Sequence, residues 1–121
     1  MAKIVFVSCN PRLRKDVQNF YSGKGHSVLI AHDCRTGLEL ALASCPDIAI
    51  IPKFGGEGMD GYEMAKAIRA DKNVGEAYLI ALGRFPTEEK QIFDDSVSSF
   101  YVKYGYQLEE AVNRGIKRIN R

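Results

Sequence analysis

The sequence predicts an α/β fold in which a doubly wound parallel sheet lies between two layers of helices. Two observations support this fold class. Short continuous apolar runs alternate along the chain with longer segments whose apolar residues recur every three or four positions. The short runs contain no regular polar alternation, which is typical of strands buried on both faces. Short connections and right-handed crossovers turn such a repeat into a three-layer (βα)5 sandwich.

The five predicted strands are short and apolar. They cover residues 4–7, 28–31, 48–51, 78–82 and 100–102. The expected order in the sheet is 2-1-3-4-5, so that the strand order reverses between the first and third strands. Ligands of such sheets bind beyond the carboxyl ends of the strands, near this reversal. The residues that follow the strands therefore carry the functional argument.

Five helices are predicted between and after the strands, and each should bury one apolar stripe. The stripe residues of the first, second, third and last helices are, in chain order, Leu13, Val17, Phe20 and Tyr21; Leu38, Ala41, Leu42 and Cys45; Met64, Ala65 and Ile68; and Leu108, Val112, Ile116 and Ile119. The fourth helix, over 88–95, has only Ile92 and Phe93 as apolar residues. We therefore expect it to pack loosely.

Residues with capping chemistry mark several helix boundaries. Asn10, followed by a proline, indicates the start of the first helix, and Gly23 and Gly25 indicate its end. Asp33 and Thr87 are the expected N-caps of the second and fourth helices. These signals support the alternation of strands and helices.

Length, charge and cysteine spacing exclude several classes of protein. The 121 residues make one domain over 1–121. A net charge of +2 does not indicate binding to nucleic acid or to a membrane surface. The chain has no long apolar run and no leader pattern, so a cytoplasmic location is expected. Cys9, Cys34 and Cys45 lack CxxC spacing, which predicts reduced thiols without a disulfide or a zinc site.

Four segments, in chain order, carry a resemblance to a known family. They are 3–7 with the polar trio after it, 46–51, 58–63 and 100–103. Together they resemble the receiver domain of two-component response regulators, which has a CheY-like, flavodoxin-like fold. In that family an acidic pair after the first strand holds magnesium, and an aspartate at the end of the third strand accepts a phosphoryl group. A hydroxyl residue and a lysine after the fourth and fifth strands stabilise the phosphoryl oxygens.

The resemblance places these roles on residues that mostly lack the functional groups the roles require. The positions of the acidic pair, the phosphoacceptor, the hydroxyl and the lysine correspond to Ser8, Cys9, Pro52, Gly83 and Lys103. Only the lysine is retained. A hydroxyl and a thiol are poor ligands for magnesium, so no metal or other cofactor is expected. The resemblance implies a pseudo-receiver that is neither phosphorylated nor an enzyme.

A displaced acid is the first alternative. Glu57 and Asp60 lie in the loop after the third strand, and one of them would have to accept the phosphoryl group in an authentic phosphorelay receiver. Neither stands at the tip of a buried strand. The simpler interpretation is that Asp60 and Gly61 shape the turn into the third helix.

An anion site is the second alternative. Lys53, Arg84 and Lys103 are expected near the strand tips, and the glycine-rich loop over 55–58 would let backbone N–H groups approach an anion. The domain would then be a sensor for a small anionic ligand. The competing interpretation is that Lys53 and Arg84 point into solvent.

Cys9 allows two interpretations as well. A thiol at a strand tip near a lysine could be redox-sensitive, or it could be an inert residue that fills the position of a lost acid. Nucleophilic catalysis would need a base. The only histidines, His26 and His32, lie at the two ends of the second strand and are not expected to activate Cys9.

The resemblance also implies a partner surface. Phe100 corresponds to the family's switch aromatic, and Tyr101 and Tyr104 add aromatic residues nearby, with Tyr104 at a position where the family usually has a cis proline. Aromatic residues are enriched in interface cores. The expected partners are signalling proteins of a two-component pathway or an output domain of a longer chain. Alternatively, Phe100 and Tyr101 simply fill space between the sheet and the helices.

Overall fold

Strands and helices alternate along the part of the chain that the computed structural model describes, which is residues 1–52, 58–82, 100–102 and 106–119. The strands are β1 (Lys3–Val7), β2 (Ser27–Ala31), β3 (Ile48–Pro52), β4 (Tyr78–Leu82) and β5 (Phe100–Val102). The helices are α1 (Pro11–Gly23), α2 (Cys34–Ser44), α3 (Gly61–Ala70) and α4 (Tyr106–Ile119). The predicted helix over 88–95 and its cap Thr87 lie outside these residues.

The five strands form one parallel sheet in the order β2-β1-β3-β4-β5. This confirms the predicted α/β class and strand order. Each observed strand agrees with its predicted range to within one residue at either end. The strand order reverses between β1 and β3, so their carboxyl ends lie side by side.

Two hydrophobic clusters cover the two faces of the sheet. Successive residues of a strand point to opposite faces, and β1 shows this clearly. Val5 and Val7 belong to the cluster with α2 and α3, whereas Ile4 and Phe6 belong to the cluster with α1 and α4. All four side chains are fully buried, and each contributes about 2 kcal/mol of transfer free energy. The three-layer arrangement follows from this double burial.

The predicted apolar stripes are correct for α3 but wrong at four positions elsewhere. Phe20, Leu42 and Ile119 are 43%, 41% and 37% exposed, and Cys45 is also exposed. Adjacent helical residues are separated by about 100° around the axis, so Phe20 and Tyr21 point in different directions. Tyr21 takes the inward position. Cys45 follows the last residue of α2 as a C-cap with φ of 53°, and so leaves the helical stripe.

The predicted N-caps of α1 and α2 are confirmed by hydrogen bonds. The Asn10 side chain accepts from two N–H groups in the first turn of α1, at 3.0 and 3.2 Å. The Asp33 carboxylate accepts from the N–H of Thr36 at 2.7 Å. Helix α1 ends at Gly23, and Gly25 has a φ of +90°, which a glycine adopts without strain. Local chemistry therefore fixes where these helices begin and end.

Among the helices of the described residues, none is long and apolar enough to cross a membrane.

Candidate functional site

The carboxyl ends of the parallel strands meet at one edge of the sheet, called here the carboxyl edge. Ser8 and Cys9 follow β1, and Pro52 is the last residue of β3. Phe100 and Tyr101 lie in β5, where they pair in register with Ile80 and Ala81. The other predicted site residues lie outside the described part of the chain. They are Lys53, Gly83, Arg84, Lys103 and Tyr104.

Ser8 shapes the turn between β1 and α1. Its side chain is only 7% exposed, and its hydroxyl accepts a hydrogen bond from the N–H of Asn10 at 3.1 Å. Its own N–H donates to the carbonyl of Ala31 at 3.0 Å, which continues the pairing of β1 with β2 by one residue. A position that the resemblance assigns to an acid is thus occupied by a residue with local structural contacts.

Pro52 ends β3 with an apolar ring in register with Leu82 of β4. The ring is half-buried and offers no oxygen or nitrogen for chemistry. Behind it, α3 begins so close to β3 that a Cβ atom on Gly61 would overlap the Pro52 carbonyl oxygen. A glycine is therefore required at this helix start, where α3 lies directly against the end of β3.

Asp60 caps α3 in the way that the simpler interpretation predicted. Its carboxylate accepts from the N–H of Glu63 at 2.8 Å, and the Glu63 carboxylate accepts from the N–H of Asp60 at 3.2 Å. This reciprocal capping box satisfies two N–H groups at the helix start. The Asp60 carboxylate therefore has a structural role, while Glu57 falls in a range that the structure does not describe.

Arg14 is a cation at this edge that sequence reasoning missed. Its guanidinium donates to the carbonyl of Ser8 at 2.6 Å, and the side chain is half-buried. Helical side chains point back toward the amino end of their helix, so Arg14 reaches over the first turn of α1 to the tip of β1. Its position four residues after the cap Asn10 was the available signal.

Arg35 adds a second cation near the loop that follows β3. A Cβ atom on Gly58 would lie 3.1 Å from a terminal nitrogen of Arg35, so the guanidinium rests against this glycine. Gly58 has a φ of +90°, which L side chains rarely adopt. The backbone conformation and the close contact both favour glycine there.

The acids and histidine near the carboxyl edge have partners within the fold. Asp33 caps α2, and the hydrogen bonds from Thr36 lower the pKa of its carboxyl. His32 lies 2.9 Å from the same carboxylate. His26 instead accepts the N–H of Ala2 on its Nδ1 atom, at 3.0 Å. Within the described ranges, no three histidine, cysteine or acidic side chains are grouped so that they could hold a metal ion.

The three thiols differ in environment. Cys9 and Cys45 are exposed, whereas Cys34, the first residue of α2, is fully buried. Burial raises the pKa of the Cys34 thiol from 9.0 to about 12, and the nearby carboxylates of Asp60, Asp33 and Glu63 add to the effect. Cys34 is therefore an unreactive thiol in the folded protein.

Solved structures with this fold are CheY-like receiver domains. The chain is similar to the chemotaxis protein CheY4 of Vibrio cholerae, with 23% identity, 98% of each chain covered and a TM-score of 0.82. It is similar to a response regulator receiver domain protein of Clostridium thermocellum, with 19% identity, 99% of this chain and 98% of that chain covered, and a TM-score of 0.85. It is also similar to the receiver domain of a signal transduction histidine kinase of Syntrophus aciditrophicus, with 15% identity, 100% and 94% covered, and a TM-score of 0.85.

At these identities the likeness shows the fold. Comparison with protein-family models gives no match, and comparison with curated proteins gives none either.

Proposed function

We propose that this chain is a receiver-like domain of bacterial two-component signalling that is not phosphorylated and acts in the cytoplasm through contacts with other proteins. The observation that carries the proposal is the tip of β3, where Pro52 stands at the position that the resemblance assigns to the phosphoacceptor. Formation of an acyl phosphate needs a carboxylate oxygen as nucleophile. A proline ring has none.

The tip of β1 supports the same proposal. Magnesium prefers carboxylate and water oxygens, and the residues after β1 supply a hydroxyl that already accepts a backbone N–H and a thiol. The guanidinium of Arg14 lies at the Ser8 carbonyl, where its positive charge disfavours a second cation nearby. We infer that the domain works without magnesium or another cofactor.

A domain of this kind would signal by a fixed shape. Its partners would be signalling proteins of a two-component pathway, or an output domain joined to it in a longer chain. We propose Phe100, Tyr101 and Tyr104 as contact residues, because aromatic side chains dominate the energetics of many interfaces.

Intact-mass spectrometry after incubation with acetyl phosphate and magnesium tests this function. A receiver domain that retains its aspartate serves as the control. We expect the control to gain one phosphoryl group and this protein to gain none. A gain that maps to a carboxylate of this chain would overturn the proposal.

A triple variant sharpens the test. Ser8→Asp, Cys9→Asp and Pro52→Asp together restore the carboxylates that magnesium binding and nucleophilic attack require. We expect this variant to gain a phosphoryl group slowly, because Gly83 still offers no hydroxyl. Phosphorylation of the wild-type protein together with no phosphorylation of the triple variant would contradict the assignment of Ser8, Cys9 and Pro52 to the receiver positions.

An anion sensor is the second candidate, and the positions of Arg14 and Arg35 favour it. They bring two cations to the edge where Lys53, Arg84 and Lys103 are expected. Calorimetric titration with inorganic phosphate and with ATP tests this function. Saturable binding that Lys103→Ala abolishes would support the sensor, and absence of saturation would exclude it.

A further inference from the structure

Hydrogen bonds from two neighbouring segments fix the start of β1. The N–H of Ala2, the residue before the strand, donates to the Nδ1 atom of His26 at 3.0 Å. The carbonyl of Ala2 accepts the N–H of Ser27 at 3.0 Å. One residue later, the N–H of Lys3 donates to the Asp47 carboxylate at 2.8 Å. The start of β1 is thus tied to β2 and to the turn before β3.

Ala2 is fully buried although it precedes the first strand. Its side chain belongs to the hydrophobic cluster that α1 and α4 cover, together with Ile4 and Val28. A buried N–H group has given up its hydrogen bonds to water, so the loss of its acceptor in the protein destabilises the buried arrangement. The imidazole of His26 is the acceptor that keeps this N–H group satisfied.

The turn between α1 and β2 holds the His26 ring in position. Gly25 has a φ of +90°, and the N–H of His26 donates to the carbonyl of Tyr21 at 3.1 Å. The centre of the imidazole lies 6.3 Å from the centre of the Tyr21 ring, which is buried. His26 itself is half-buried. The backbone and the aromatic neighbour therefore direct Nδ1 toward the start of β1.

The contact between Ala2 and His26 depends on the protonation of the ring. An imidazole nitrogen accepts a hydrogen bond only while it carries no proton, so the ring in this contact is neutral and carries its proton on Nε2. A second proton, on Nδ1, would turn the acceptor into a donor that faces another donor. Histidine is the side chain that ordinarily changes its charge between pH 5 and pH 8.

Several other titratable groups lie on the segments around this contact. In chain order they are the Met1 amino group, Lys3, Tyr21, Lys24, Asp47 and Glu109. The Lys3 ammonium donates to the carbonyl of Ser44 at 2.8 Å, and the Lys24 ammonium lies 3.9 Å from the Glu109 carboxylate. Among these kinds of group, an α-amino group is the one that ordinarily titrates near the range of histidine. A test must therefore separate His26 from the Met1 amino group.

We propose that the contact between Ala2 and His26 is a pH switch, in which the neutral imidazole holds Ala2 against β2 and protonation of Nδ1 releases it. The contact is present above the pH range in which histidine titrates and is lost as the pH falls through that range. The bond from Ser27 opens as well, because it needs the Ala2 carbonyl in the same place. Release exposes apolar surface of the cluster under α1 and α4. This switch does not depend on the function proposed above.

The tautomer of His26 in the wild-type protein gives the first test. Long-range ¹H–¹⁵N spectra show which ring nitrogen carries the proton when the imidazole is neutral. At pH 8 we expect the proton on Nε2. A proton on Nδ1 would overturn the proposal, because that nitrogen could not then accept from Ala2.

Amide hydrogen exchange at pH 8 and pH 5 measures the release. The amide of Ser27 reports on Ala2, and the amide of Asp47, which donates to the carbonyl of Lys3 at 2.8 Å, reports on the next residue of β1. After correction for the intrinsic exchange rates, we expect the protection factor of Ser27 to fall about fivefold at pH 5, the factor that corresponds to one hydrogen bond. The protection factor of Asp47 should change less. Constant protection at Ser27, or an equal fall at both amides, would overturn the proposal.

Two histidine variants make a matched pair. His26→Ala removes the acceptor, so protection at Ser27 should be low at both pH values. His32 lies just after β2, and its side chain is 68% exposed. We expect His32→Ala to keep the pH dependence of the wild-type protein. A pH dependence that persists in His26→Ala would assign the effect to another group, such as the Met1 amino group, and would overturn the proposal. Its loss in His32→Ala would overturn the proposal as well.

Discussion

The two ends of β3 differ in the chemistry that they carry. At the amino edge of the sheet, where β3 and β4 begin, the strand is preceded by Asp47, whose carboxylate accepts the N–H of Lys3, and the guanidinium of Arg118 lies 6.0 Å from the centre of the Tyr78 ring. At the carboxyl edge the strand ends in Pro52, and the neighbouring Ser8 hydroxyl accepts a backbone N–H. The polar groups described at the carboxyl edge mostly serve the fold itself. Under the proposed function, a sheet topology is kept while the edge that usually carries its chemistry takes a structural role.

Gly61→Ala tests how tightly α3 packs against β3 at the carboxyl edge. Among the changes considered, it should lower the free energy of unfolding most. The new methyl group would overlap the carbonyl of Pro52, and a backbone carbonyl cannot move without displacing β3 or α3. We expect the free energy of unfolding to fall by about 3 kcal/mol. Urea denaturation measures the change.

Gly23→Ala provides the control for that experiment. A Cβ atom on Gly23 would have no neighbour within 4 Å, so this substitution should raise the free energy of unfolding by about 0.5 kcal/mol. Equal effects at the two glycines would show that the start of α3 is not tightly packed on β3.

The amino edge should tolerate a comparable change better. In Gly115→Ala the methyl group would meet the side chains of Ile48 and Tyr78, at 2.9 and 3.0 Å. Side chains can adjust by a few tenths of an ångström, so we expect a loss of about 1 to 2 kcal/mol in urea denaturation. A larger loss of unfolding free energy in Gly115→Ala than in Gly61→Ala would show that the amino edge tolerates an added methyl group less well than the carboxyl edge.

Ionisation of the Cys34 thiol should have the smallest effect on folding stability at neutral pH. The pKa of its thiol is raised by burial to about 12 in the folded protein, against 9.0 for an ordinary cysteine. Below pH 9 the thiol is protonated in both states, and its contribution to stability is fully present. As the pH rises from about 9 to about 12 the unfolded chain loses the proton first, so stability is lost over that window.

Urea denaturation at a series of alkaline pH values measures this loss. The wild-type protein should lose stability more steeply above pH 9 than the Cys34→Ala variant, which lacks this thiol. Parallel curves for the two proteins would contradict the buried, protonated thiol.

The sequence was sufficient to predict the strands, because both faces of the sheet are covered and each strand is a continuous apolar run. Caps such as Asn10 and Asp33 were predictable for a similar reason, since their hydrogen bonds reach only two or three residues along the chain. The exposure of Phe20 and Leu42 could not be predicted from the sequence. Each of them has an apolar neighbour, and the pattern alone does not say which of the two faces the core.

The sites were harder to predict than the fold. The contact of Arg14 with the Ser8 carbonyl depends on how α1 leaves β1, which no residue type specifies by itself. A cavity at the amino edge combines residues from three separate segments of the chain, 45–47, 73–78 and 115–119. Its charge pattern becomes visible only after the strand order brings those segments together.

The two exposed thiols allow the distance between the two edges of the sheet to be measured. Cys9 lies at the carboxyl edge and Cys45 at the amino edge, so at least the length of a five-residue strand, roughly 16 Å, separates them. The third thiol is shielded, so maleimide reagents can place a pair of spin labels on the native chain without further mutation. Dipolar spectroscopy would then report whether the separation of the two edges changes when acetyl phosphate or an organic anion is added.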